Sequence, residues 1–224
     1  MKTIYLFIAL LFSLTSCLEI IDDLTIKNDG SGSLKYTINM SSNKIKINSI
    51  LALDSLDGKK VPSIAEIKDK VEEFKNALAK KEGIKLVKVD QNFEQFIFKF
   101  QFDFNSLEEL QAAIKMVVQE QFKDKTIKEL NENWLSWDGQ KLVRYIPDFT
   151  LVKTKELKDD DYEATKKGTY TSITRFERGI EKAENTKTVI SPNRLNSMLR
   201  SDVHSILQNP KSMQNTIILT PLKN

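Results

Sequence analysis

The sequence predicts an α+β fold, an antiparallel or mixed sheet with two or three helices packed on one face, and three observations carry that expectation. Phe96, Phe98, Phe100, Phe102 and Phe104 stand at every second position, the period of a strand with one buried face. Ser63 with Glu66, and Ser106 with Glu109, have the spacing of a capping box, and each pair opens a stretch of helical apolar periodicity. Asp29-Gly30, Asp57-Gly58 and Asp138-Gly139 fall between alternating stretches, where hairpins turn. With 224 residues, 40% of them hydrophobic, the chain can bury a core without disulfides.

The first residues read as an address. Lys2 is the only charged side chain before Cys17, and the apolar stretch from Ile4 to Leu14 falls well short of the about 20 residues that span a bilayer. Leu14-Thr15-Ser16-Cys17 then supplies an aliphatic residue, two small ones and a cysteine. At all four positions this resembles the bacterial lipobox, which implies cleavage between Ser16 and Cys17 and a lipid on the Cys17 sulfur. Residues 1–16 are then a lipoprotein signal peptide, and residues 17–224 a single lipid-anchored α+β domain. Buried acyl chains such as palmitate contribute about 0.8 kcal/mol per CH₂, so two or more hold a protein firmly. The bland alternative is an ordinary secreted protein with a leftover cysteine. Because Cys17 is the only cysteine, its acylation leaves no thiol for a disulfide, a nucleophile or a metal.

After Cys17, Ile20, Leu24 and Ile26 share a strand face that Asp22 interrupts, and alternation resumes at Leu34, Tyr36, Ile38 and Met40 beyond an Asp-Gly turn. A calcium loop is excluded there, since Thr25 and Lys27 stand where its first acids would be. A third strand is expected from Lys44 to Leu53. Asp54-Ser55-Leu56 resembles a short O-glycosylation signal of secreted Bacteroidetes proteins, making Ser55 a candidate for modification. Ile64, Ile67, Val71, Phe74 and Leu78 mark the first long helix, closed by Gly83. A strand at 84–89, a turn at 90–92 and the phenylalanine strand follow. Leu107, Leu110, Ile114, Val117 and Val118 mark the second helix. With strands expected at 45–53 and 141–152, the order is β-α-β-β-α-β, a ferredoxin-like middle.

Trp134 and Trp137 flank a further hairpin and should point to opposite faces, while the charged stretch 153–168 reads as a solvated loop. Strands are expected at 169–176, at 180–190 and around Ile217. A third helix is expected from Ser191-Pro192, with Leu195, Leu199, Val203 and Ile206 as its stripe. Asp202 would lie inside that stripe, either paired at a rim or as a polar anchor in a ligand cavity. His204, the only histidine, would lie opposite and exposed.

The early strand, the Asn28-Asp29-Gly30-Ser31-Gly32 turn and the second strand resemble Bacteroidetes lipoproteins of unknown function. More distantly, the hairpin looks like the start of LppM-type lipoprotein domains, and Phe176 to Ile190 is similar to their later strands. Such families imply an anchored α+β domain in the cell envelope, at the outer membrane facing the periplasm, with cell-surface display as the alternative. Leu18-Glu19-Ile20-Ile21 stands where surface-exported members carry acids. The families supply no catalytic residue.

Charge and motifs narrow the functions. A net charge of +3, with both signs interspersed, offers no stripe for nucleic acid. A single histidine and no spare cysteine exclude a zinc site of several such ligands, and no Gly-x-Ser-x-Gly elbow or glycine-rich phosphate loop is present. No metal, cofactor or catalytic residue is therefore expected. The first expectation is a non-enzymatic accessory or binding module of the envelope, whose partners are the membrane, through Cys17, and envelope proteins. The second is a carrier of a lipid-like ligand on the face of Phe96, Phe98, Phe100, Phe102 and Phe104, which requires a cavity beside the rings where the bland reading requires a filled core. The third is a hydrolase using acidic residues alone, which requires two carboxylates converging in a cleft.

Overall fold

β1 (Glu19–Ile26) and β2 (Gly32–Asn39) pair antiparallel across the Asp29-Gly30 turn. The structure, a computed structural model, describes residues 18–56, 58–122, 132–146 and 167–222. Asp29 Oδ1 accepts from Ser31 N at 2.9 Å, closing the turn. Only glycine fits at position 32, because a Cβ there would collide with the Thr25 carbonyl and lie 2.7 Å from the Phe104 ring.

Lys44 to Leu53 does not form the expected strand. Residues Lys44–Leu51 are helix α1, with Ser49 Oγ donating to the Ile45 carbonyl. Ile47, Ile50 and Leu51 fit helical spacing as well as Ile45 and Ile47 fit a strand, and β6 already has partners on both sides. Two short strands follow, β3 (Ser55–Leu56) and β4 (Lys59–Lys60). Ser63 then caps α2 (Ile64–Ala79) in a complete capping box with Glu66. β5 (Ile84–Asn92) runs on through the expected turn, and the chain reverses over residues 93–96. The β5 ladder is broken between Lys85 and Lys88, where Leu86 has φ +52° and is 68% exposed.

Phe96 is not on the phenylalanine strand: it is buried in the turn with φ +52°, and β6 begins after it (Ile97–Phe104). α3 (Leu107–Phe122) starts where Glu109 N donates to Ser106 Oγ at 3.2 Å. The hairpin of β7 (Leu135–Trp137) and β8 (Lys141–Arg144) turns at Gly139 as expected. Residues 147–152 and the acidic run 159–161 lie outside the described residues.

β9 (Thr169–Phe176) is followed by two strands where one was expected, β10 (Ile180–Ala183) and β11 (Val189–Ile190), which join different sheets. The third helix is corrected most. Ser191-Pro192-Asn193-Arg194 is a turn, and Asn196–Asp202 is strand β12, paired along its whole length with β9. Ser197 and Leu199 are buried while Met198 and Arg200 are exposed, a period of two hidden among polar residues. Only Val203–Gln208 is helix, α4, in which His204 is half-buried rather than exposed. β13 (Asn215–Leu219) closes the chain's described part.

The strands form a seven-stranded mixed sheet, ordered β11-β12-β9-β1-β2-β6-β5, and a four-stranded antiparallel sheet, β10-β13-β8-β7. β1 and β9 run parallel, and β1 pairs antiparallel with β2 on its other side. The α+β class and the mixed sheet are as expected, with the two long helices α2 and α3 packed into one core on one face. The ferredoxin-like unit is not made, because its first strand is α1 and β8 belongs to the smaller sheet. Leu24, Phe102 and Phe104 of the large sheet form one core cluster with Leu107, Leu110 and Val117 of α3 and Leu142 and Ile217 of the small sheet. α3 and the small sheet therefore cover the same face.

Candidate functional site

The strand register places Asp22, Tyr36 and Phe100 in one row across β1, β2 and β6, and Leu24, Leu34 and Phe102 in the next. α2 lies across these rows, with the Phe74 ring edge-on to Phe100 at 5.8 Å. Between helix and sheet is a cavity of about 1080 Å³, walled by Ile67 and Val71 of α2, Ile114 of α3 and Trp134. That volume is just above the usual range of about 300–1,000 Å³ for ligand sites. Lys60, Glu66, Asp69, Lys70 and Glu73 add charged groups to its boundary. The Lys60 hydrogen bond, with the Ser63 backbone and hydroxyl, holds the Glu66 carboxyl down at about 2.

One polar cluster interrupts the apolar lining. Arg144, at the end of β8, donates from Nη1 to Asp22 Oδ2 at 2.8 Å, and Tyr170 Oη donates to the same oxygen at 2.8 Å. Asp22 is 7% and Arg144 8% exposed, and Asp22 Oδ1 and Arg144 Nη2 have no partner among the described residues. Two unmet polar atoms on a buried ion pair are unusual, since such groups are costly to leave unsatisfied. Burial works against the Arg144 charge, but Asp22 and Tyr170 outweigh it and hold the guanidinium above its ordinary pKa. Burial, then the Asp22 charge, pushes the Tyr36 phenol up to about 12 and Tyr170 well above the usual phenol range. Both phenols are therefore neutral and able to donate at physiological pH.

Gln111 fixes the wall opposite. It is wholly buried on α3; its amide nitrogen donates to the Leu107 and Leu135 carbonyls, and its oxygen accepts from Trp134 N at 2.7 Å and Leu135 N at 2.9 Å. All four bonding positions of the side-chain amide are thus used to clamp the Trp134-Leu135 backbone to the helix. Trp134 faces the cavity while Trp137 stacks on Phe176 at 6.2 Å, and both pack against the one core cluster rather than to opposite faces, since Trp134 stands before the strand begins.

The expected site residues divide. Phe100 and Phe102 line the cavity; Phe104 is core, Phe98 packs edge-on against Phe93, and Phe96 is in the turn. Asp202 is not inside a helical stripe. It is the N-cap of α4, its carboxylate accepting from Ser205 N and Oγ at 2.7 Å each, and those bonds hold its pKa low. It does not line the cavity, because the strand before it moved it to the helix start. Ser55 is exposed on β3. Ser16 and Cys17 lie outside the described residues. Sequence reasoning missed Arg144, Tyr36, Tyr170 and Gln111. A signal existed for Arg144: it shares a strand face with Leu142, and a cation on a buried face needs an anion such as Asp22.

Among the described residues no helix is long and apolar enough to cross a membrane, and no group of three His, Cys, Asp or Glu side chains is placed to hold a metal. No protein-family model and no curated protein matches the chain. Of solved structures, the chain is similar to the folded domain of the LppM protein of Mycobacterium tuberculosis, determined by NMR. The identity is 12% and the TM-score 0.43, over 94% of each chain. That likeness is too distant to transfer a role, so the site is read from its own side chains.

Proposed function

We propose that this chain is a non-enzymatic, lipid-anchored carrier of the bacterial cell envelope, holding a lipid-like molecule between α2 and the large sheet. The observation that carries this reading is the apolar cavity of about 1080 Å³ beside Phe100 and Phe102. Each ligand CH₂ withdrawn from water there contributes about 0.8 kcal/mol, so an acyl chain supplies the affinity without any charged contact. The same cavity favours a carrier over a module acting through protein contacts alone. Against an acid-only hydrolase, Asp22 is committed to Arg144 and Glu66 to Lys60 and the helix cap. A lipid on Cys17 would sit close to the fold, since the Leu18 carbonyl already accepts from Thr169 N at 2.7 Å and β1 begins at Glu19. Ile38 and Tyr170 line the cavity level with Ile20, near that same end of β1. The outer membrane, with the domain facing the periplasm, is the placement this proposal takes.

The test uses protein purified from native membranes, its intact mass compared with a Cys17→Ser variant and its bound lipid extracted and identified by mass spectrometry. Acyl mass that disappears with Cys17, together with a separate lipid lost in a cavity-filling Val71→Trp variant, is the expected result. An unmodified Cys17 removes the anchor, and a folded domain empty of apolar compounds removes the carrier.

A further inference from the structure

We propose that the cavity selects its ligand by an uncharged polar group, a hydroxyl or an ester, and rejects the ionised carboxylate of a free fatty acid. This rests on the carrier reading and names the ligand class within it.

Charge and hydrogen-bonding capacity at the polar cluster set the selection. The obvious anion receptor in the cavity is Arg144, but its charge is already compensated by Asp22 at 2.8 Å. A carboxylate brought to this cluster would meet the Asp22 carboxylate in a buried setting, where two like charges disfavour each other strongly. Nor do the other charged groups of the lining supply surplus positive charge, since Lys60 and Lys70 stand with Glu66, Asp69 and Glu73. Lys60 is bonded to Glu66 and Lys70 to Glu73, each at 2.6 Å.

The hydrogen-bonding capacity of the cluster is mixed and neutral in sum. Asp22 Oδ1 and Arg144 Nη2 are unmet but almost wholly enclosed, on residues more than nine-tenths buried, so the pair sets the charge at this end of the cavity rather than offering those atoms to a ligand. Tyr36 Oη makes no hydrogen bond to a described residue and lines the cavity, while the Tyr170 hydroxyl keeps acceptor capacity after donating to Asp22. A ligand hydroxyl can accept from Tyr36 and donate to the Tyr170 oxygen, and an ester carbonyl can accept from Tyr36. A carboxylate has no proton to donate to the Tyr170 oxygen and is repelled by Asp22.

Delipidated full-length protein is titrated with dodecan-1-ol and with dodecanoate at pH 7.5 by equilibrium dialysis, two ligands with the same chain length and different head groups. The expected result is that the alcohol binds at least about tenfold more tightly. In Asp22→Asn the negative charge is gone and Arg144 is left uncompensated, so the preference inverts toward dodecanoate. Tyr36→Phe leaves the ion pair in place and keeps the test sharp where Asp22→Asn fails to fold. It weakens the alcohol several-fold and leaves dodecanoate unchanged, with near-ultraviolet dichroism reporting the fold. Dodecanoate binding as tightly as the alcohol to the unmodified chain overturns this inference and leaves the carrier standing. Binding of neither ligand overturns both.

Discussion

One face of the large sheet carries two covers, and they fit it differently. Over β9 and β12 the small sheet closes down until the space among Leu142, Arg144, Ser172, Thr174, Ser197 and Ile217 is about 10 Å³, room for roughly one water. Over β1, β2 and β6 the helix α2 leaves about 1080 Å³. The sheet residues differ in the same sense. Ser172, Thr174 and Ser197 are short and let a second layer approach, whereas Leu34, Tyr36 and Phe100 are long. The covers differ too: α2 buries only Leu78 completely, near its C-terminal end, and while Phe74 meets the Phe100 ring, Ile67 and Val71 of its apolar stripe wall the cavity. Tight closure here is a matter of small side chains meeting large ones, and the open half lacks the small partner.

Arg144 lines both spaces and is the sharpest place to break this contrast. Arg144→Ala leaves Asp22 buried without its cation and should destabilise the protein by about 3–5 kcal/mol in chemical denaturation. The double change Asp22→Leu with Arg144→Met should recover most of that loss; failure to recover would show that the pair does more than satisfy itself. Next in size, Leu142→Ala in the closed half should cost about 2–5 kcal/mol. Val71→Ala beside the cavity should cost less than about 1 kcal/mol, since its truncated atoms already face space. Equal costs in the two halves would mean that the cavity closes in solution.

Smaller still is the hold on the α2 start. Ser63→Ala should cost about 1 kcal/mol. Glu66, held at about 2 in the folded chain, titrates below its ordinary value of 4.5. Its stabilising contribution is therefore complete above that ordinary value and is lost as pH falls toward 2. Hydrogen exchange should show the first turn of α2 loosening over that acid range before the small sheet does, and the reverse order would locate the weaker cover on the other side.

The halves were not equally legible. The α2 and α3 helices could be read from caps and spacing because Ser63-Glu66 and Ser106-Glu109 act locally, within one turn. Phe98, Phe100, Phe102 and Phe104 announced a strand, but period two does not say what covers it, and core and cavity leave the same trace in sequence. The closed half was misread where its signal is weak. β12 alternates Ser197 and Leu199 against Met198 and Arg200, a pattern without enough apolar contrast to outweigh the Leu195-Leu199-Val203-Ile206 spacing. The partner that decides it is β9, twenty or more residues away. The polar cluster joins Asp22 to Arg144 across 122 positions and to Tyr170 across 148, a convergence that only the sheet order creates.

The interrupted ladder of β5 has a consequence beyond its own strand. It forms one edge of the large sheet, and the other edge, β11, is two residues long and ends before Pro192. A neighbouring chain offering a strand to either border would find only a short row of donors and acceptors to zip onto: on one side the backbone swings out at Leu86 between Lys85 and Lys88 and leaves only Lys88 to Asn92 in unbroken register, and on the other it runs out. The large sheet is thereby a poor template for edge-to-edge growth into a shared, fibre-like sheet.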